Sequence, residues 1–175
     1  KRVELLIALV PRAVRIAALF NMGNPALPPQ WKGVEMAARS LGMQAQLLDV
    51  RKPEDLGPAF EAALRQRADG LVVGLDTLTH GNRRHIVEVA AKHRLPAVYA
   101  SSEFVGGLAA YGVNYPDAYR HAASFVDRLF KGAKPADLPM EQPSKLELVL
   151  NLKTAKTLGL TIPPSLLLQA DQVIQ

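Results

Sequence analysis

A chain of 175 residues, 49% hydrophobic and 21% charged, has the make-up of one globular domain, which excludes disordered and fibrous classes. With no cysteine, thiol catalysis, thiolate zinc sites and iron–sulfur clusters are excluded as well. The net charge of +5 is spread evenly, with acids interleaved among the lysines and arginines, so no nucleic-acid interface is expected.

Val3, Leu6, Ile7 and Val10 recur at helical spacing from the first residues with no capping residue ahead of them. The chain therefore reads as a fragment or processed form of something longer. A short apolar run, Arg15 to Phe20, predicts a strand, and Trp31, Val34, Ala38 and Leu41 predict a helix stopped by Gly42. Trp31 reads as packing. The alternation continues with a strand at Gln44 to Val50, a helix from Pro53 to about Arg67, a strand at Gly70 to Leu75, a helix from about Asn82 to His93, and a strand at Ala97 to Ala100. This is the βαβ rhythm of a parallel α/β sheet covered on both faces, and the unbroken runs Ile16 to Phe20 and Leu71 to Val73 suit strands buried on both sides. Beyond Ala100 the rhythm changes. A short strand, Ala109 to Val113, leads into an amphipathic helix, Pro116 to Lys131, with Ala118, Ala122, Phe125, Val126 and Leu129 on one side. The prolines of Lys134 to Pro139 predict a semi-rigid linker or crossover. A strand at Leu146 to Leu150 follows, then a short helix capped by Asn151 and ended by Gly159, and a final segment from Ser165 to Ile174.

In open parallel sheets, ligands bind beyond the carboxyl ends of the strands. The candidates are therefore Asn21 and Asn24 after the first strand, Asp76 and Thr77 after the third, Ser101, Ser102 and Glu103 after the fourth, and Asn114 and Tyr115 after the fifth. Each of these residues taken singly suits a helix cap or turn. As a set, uncharged hydrogen-bonding groups with one or two carboxylates and a Tyr suit a small polar ligand better than proton transfer. Nucleotide-loop, nucleophile-elbow and zinc-protease motifs are lacking. His80 and His85, five apart, do not stack on one helix face, and no metal or other cofactor is expected. No apolar run approaches the ~20 residues of a membrane span.

Three blocks carry a resemblance: Leu129 to Pro139 (LFKGAKPADLP), Asn151 to Leu160 (NLKTAKTLGL) and Ile162 to Asp171 (IPPSLLLQAD). With them the chain resembles the C-terminal portion of the ABC-transporter substrate-binding proteins of the tryptophan/tyrosine type, which have the periplasmic-binding-protein type I fold. The resemblance implies two lobes joined by crossovers, with a small ligand, an amino acid or similar, captured in the cleft and handed to membrane permease subunits. Residues 1–105 and 135–175 would form lobe two, and 106–134 the crossover with a strand and helix of an incomplete lobe one. The nine candidates above would line the cleft, with Asp76 pairing a ligand amine and Ser and Asn groups taking a carboxylate. The resemblance also implies a periplasmic or extracytoplasmic location, no enzymatic activity, and an apolar helix face that either packs on lobe two or pairs with another copy in a homodimer. The stretch between Phe104 and Gly107 is shorter here than in the family.

Two other classes share these features. A ligand-sensing effector domain of a transcription regulator has the same fold and would carry a DNA-binding helix pair upstream. A small α/β enzyme would need a carboxylate or His of shifted pKa in the loop cluster.

Overall fold

A computed structural model describes residues 1–141 and 146–175. Helix α1, Arg2–Leu9, opens the chain. The strands β1 (Arg15–Phe20), β2 (Gln44–Asp49), β3 (Gly70–Val73) and β4 (Ala97–Tyr99) alternate with helices α2 (Pro28–Ser40), α3 (Leu56–Arg65), α4 (Thr77–Gly81) and α5 (Arg83–Lys92). Then come β5 (Ala109–Val113), α6 (Tyr115–Phe130), β6 (Leu146–Asn151), α7 (Leu152–Leu158), α8 (Pro164–Leu167) and β7 (Gln172–Ile174). The described strands form one sheet in the order β2-β1-β3-β4-β5-β6-β7. Strands β2 through β5 are parallel, as the βαβ spacing predicts.

Period-two alternation within strands divides the core in two. Ile16, Ala18 and Phe20 of β1 face a cluster completed by Val3, Leu5, Leu6 and Leu9 of α1, Val34 and Ala38 of α2, Ala155 of α7 and Leu166 of α8. Ala17 and Leu19 face the opposite cluster, with Phe60 and Ala63 of α3 and Ile86 and Ala90 of α5. Each Leu taken wholly out of water contributes about 1.5–3 kcal/mol, so α1, with three buried leucines, is held by packing despite having no side-chain cap. Its buried face differs slightly from the expected one: Leu5 and Leu9 are inside, and Ile7 and Val10 only partly so. Trp31 packs, partly buried, against the first cluster.

Three expectations change. The helix read from Asn82 to His93 is preceded by a separate turn, α4, because Asp76 and Thr79 form a reciprocal cap that starts a helix at Thr77. Strand β5, expected with α6 as part of a second lobe, is hydrogen-bonded to this sheet, Val98 and Tyr99 of β4 pairing with Ala109 and Ala110. The sheet is also not wholly parallel. Strand β6 runs antiparallel to β5, with Val113 opposite Leu146 and Ala109 opposite Leu150. The reason is the path between them: α6 leaves from the carboxyl end of β5 without crossing a face of the sheet, none of its residues is buried, and the chain returns at the edge it left. Strand β7 is again parallel to β6.

The β4–β5 connection is tight. Phe104 stacks on Tyr99 with ring centroids 4.8 Å apart, and a Cβ at Gly112 would lie 1.9 Å from the Ala100 carbonyl oxygen, so only glycine lets these strand ends close together. Gly159 ends α7 in the left-handed conformation, φ 74°.

Candidate functional site

Because β1 to β5 are parallel, the loops after them lie on one edge of the sheet, and the reversed β6 brings its first residues to that same edge. Side chains along this rim are tied to one another in strand order. At β2, Asp49 accepts from the Met22 backbone N–H at 3.0 Å and from Arg51 Nε at 3.0 Å. Asn21, just past β1, folds into a tight turn in which its Oδ1 accepts from Gly23 N–H at 3.0 Å. Its Nδ2 donates to Asp76 Oδ2, past β3, at 2.6 Å. The other Asp76 oxygen accepts from Thr79 N–H at 3.0 Å, while the Thr79 hydroxyl accepts from Asp76 N–H at 3.0 Å and donates to the Gly74 carbonyl at 2.9 Å. From α4, His80 Nε2 reaches Glu103 Oε2, in the loop after β4, at 2.5 Å. Ser102 Oγ donates to Glu147 Oε1 at 2.5 Å, and Asn114 Nδ2, past β5, donates to Glu147 Oε2 at 2.7 Å.

All nine residues expected at the site lie on this rim, in two groups. Asn21, Asn24, Asp76 and Thr77, with Gly23, Leu78 and Asn82, line an open depression of about 560 Å³. Ser101, Ser102, Glu103, Asn114 and Tyr115 lie farther along, beyond the His80–Glu103 pair, and do not line that depression. Several also hold local structure: Asn24 Oδ1 accepts from Ala26 N–H, Ser101 Oγ accepts from Glu103 N–H, and Asn114 caps α6 through Asp117 N–H. Glu147 and Asn82 are not among the residues singled out from the sequence, and His80, weighed there only against a metal pair with His85, meets Glu103. The signal for Glu147 was a lone acid inside an apolar strand, Leu146 to Leu150, where a buried carboxylate needs donors.

The rim is acidic although the chain is basic, since Asp49, Asp76, Glu103 and Glu147 converge there. Beneath it, Arg2 of α1 donates to the Val73 carbonyl at 3.2 Å and to Gln30 Oε1 at 3.2 Å, and burial lowers its pKa. Tyr99, at the end of β4, is buried, which raises the pKa of its phenol. In the depression such a rim offers a carboxylate, Asp76, for a cation and the amides of Asn21, Asn24 and Asn82 for an anion.

The family model for ABC transporter substrate binding protein matches residues 1–174. The chain belongs to that family. Among solved structures, this family member is similar to an ABC domain from Streptococcus pneumonia in complex with L-Trp, at 27% identity and a TM-score of 0.87 over 99% of this chain and 59% of that one. It shares its fold with a conserved domain protein from Vibrio cholerae, 22% identical, TM-score 0.85, over 98% of this chain and 58% of that one. The fold is also that of the ligand-free, open structure of a substrate-binding protein with adhesive properties from Clostridium difficile, 20% identical, TM-score 0.72, over 100% of this chain and 59% of that one. No curated protein matches the chain. This substrate-binding-family chain thus spans 58–59% of the length of those three neighbours. Among its described residues no helix is long and apolar enough to cross a membrane.

Proposed function

We propose that this chain forms one wall of an interlobe cleft that captures an amino acid or similar zwitterion for an ABC importer and delivers it to permease subunits outside the cytoplasm. The observation that carries the reading is the continuous polar rim, with its open depression bounded by Asn21 and Asp76. Asp76 attracts the ligand ammonium, and the side-chain amides of Asn21, Asn24 and Asn82 offer donors to its carboxylate. Ser101, Ser102, Glu103, Asn114 and Tyr115 line the hinge side. Family membership supports solute capture, not bond chemistry, and the L-Trp held by the Streptococcus pneumonia neighbour supports the ligand class. A facing lobe completes the cleft. Its contact with this chain is the exposed stripe of α6, where Val126 and Leu129 are 49% and 39% exposed. A ligand that bridges both walls favours the closed state by its differential affinity for it.

The test is a thermal-shift screen of the protein against the twenty amino acids. A ligand at 100 times its Kd adds about 2.7 kcal/mol, a clear rise in melting temperature. A rise with one or a few amino acids is the expected result, and no rise with any overturns the ligand class. Sedimentation of the same samples shows whether a second copy covers α6 instead of a facing lobe.

A further inference from the structure

The chain leaves the sheet at Asn114 and is back in it at Leu146, so whatever fixes the excursion between them has to act at its root. Packing does not do so, because no residue of α6 is buried. The exposed His121–Glu141 pair, 2.5 Å, joins α6 only to its own return path and contributes little in water. The root itself is polar and closed. Glu147, the second residue of β6, is only 8% exposed, and each of its oxygens takes a bond from a different element. Ser102 reaches it from the loop after β4 at 2.5 Å, and Asn114 from the junction of β5 and α6 at 2.7 Å. Asn114 in turn caps α6, its Oδ1 accepting from Asp117 N–H at 2.9 Å.

We infer that Glu147 is a positioning residue, the pin that sets the angle at which α6 stands off the sheet. A carboxylate suits the task because two acceptor oxygens in a fixed plane hold two donors in a fixed relation, and charge-assisted bonds are short and strong. A neutral apolar residue in its place leaves both donors free to swing. Because Ser102 belongs to the rim as well as to the pin, rim occupancy and helix angle are coupled, a consequence that rests on the cleft reading above.

The absence of cysteine makes the angle measurable, since cysteines introduced at Glu88 on α5 and Tyr119 on α6, both exposed, carry the only spin labels. Pulsed electron-spin distance measurement on this otherwise unchanged protein is expected to give one narrow distance. Glu147→Ala is expected to lose that narrow peak. Glu147→Gln keeps it, because the new amide accepts from Asn114 and donates to the Ser102 hydroxyl. Asn114→Asp caps the helix as well as Asn does but sets two carboxylates face to face, and it is expected to lose the peak. Adding Glu147→Gln to Asn114→Asp restores a donor opposite an acceptor and brings the peak back. A narrow peak in Asn114→Asp, or a double variant as broad as that single one, overturns the pin. If Glu147→Ala does not fold, the Asn114→Asp and double-variant pair still decides, with circular dichroism confirming that both are folded. Adding the twenty amino acids to the parent then separates the two ideas: a moved peak supports the coupling to the rim, and an unmoved peak overturns the coupling while leaving the pin intact.

Discussion

Asp76 holds structure and offers charge at once, and the two roles separate by substitution. Asn at this position still caps α4 and still accepts from Thr79 N–H, but it carries no charge and turns its amide N–H toward the Asn21 amide that Asp76 accepts from. Asp76→Asn is therefore expected to cost about 1 kcal/mol of stability for the lost bond and to weaken any amino acid found by the screen at least about tenfold, which is about 1.4 kcal/mol. Calorimetric titration alongside thermal melting checks both, and unchanged affinity removes Asp76 from the ligand. Tyr99 gives a prediction in pH. Its folded pKa lies above the ordinary phenol value, so between the two the native state holds a proton that the unfolded chain has released, and stability falls as pH rises past about 10. Tyr99→Phe should show a shallower alkaline loss in urea denaturation; an identical slope contradicts the assignment. At this scale the sequence was informative wherever a polar residue lies within three residues of the end of a parallel strand, as Asn21, Asp76 and Ser101 do. It did not mark Glu147, because that residue reaches the rim only through the reversal of β6, which no local pattern encodes.

Among the elements, strands were legible from apolar runs, helices from 3.6-residue spacing and the parallel direction of β1 to β4 from the βαβ rhythm, while the direction of β6 was not. The run Leu146 to Leu150 reads as a strand in either orientation; the partner opposite it is fixed by the unpacked path of α6, which is a matter of tertiary structure. The extra turn α4 ahead of the expected helix likewise followed from a cap at Asp76 that propensity alone does not weigh. The β4–β5 closure rests on two glycines, Gly107, where a Cβ would lie 2.4 Å from the Tyr99 ring, and Gly112. Gly112→Ala sets a methyl against the Ala100 carbonyl oxygen and is expected to cost about 3 kcal/mol, read as a fall in the urea midpoint. An unchanged midpoint refutes the close approach. At the other end of the sheet, Asn151 accepts from Thr154 N–H at 3.0 Å, and Asn151→Ala is expected to destabilise by about 1 kcal/mol by the same measurement, with α7 fraying first in amide exchange. Protection of α7 equal to that of the parent contradicts this.

For the molecule as a whole, a two-faced core fixes seven described strands so that ionisable and amide side chains scattered along the sequence meet at one edge, while the helix that departs from that edge buries nothing. A scaffold of this kind holds the polar rim rigidly, which is what the proposed cleft wall requires. The most direct test of the account is an amide-resolved NMR titration of the protein with the amino acid that gives the largest thermal shift. The account predicts chemical-shift changes gathered at Asn21, Asn24, Asp76 and Thr77, with smaller ones at Ser102 and Asn114 across the hinge side. Changes confined to the opposite edge, around Gln44 and Gln66, or no changes at saturating ligand, would contradict it.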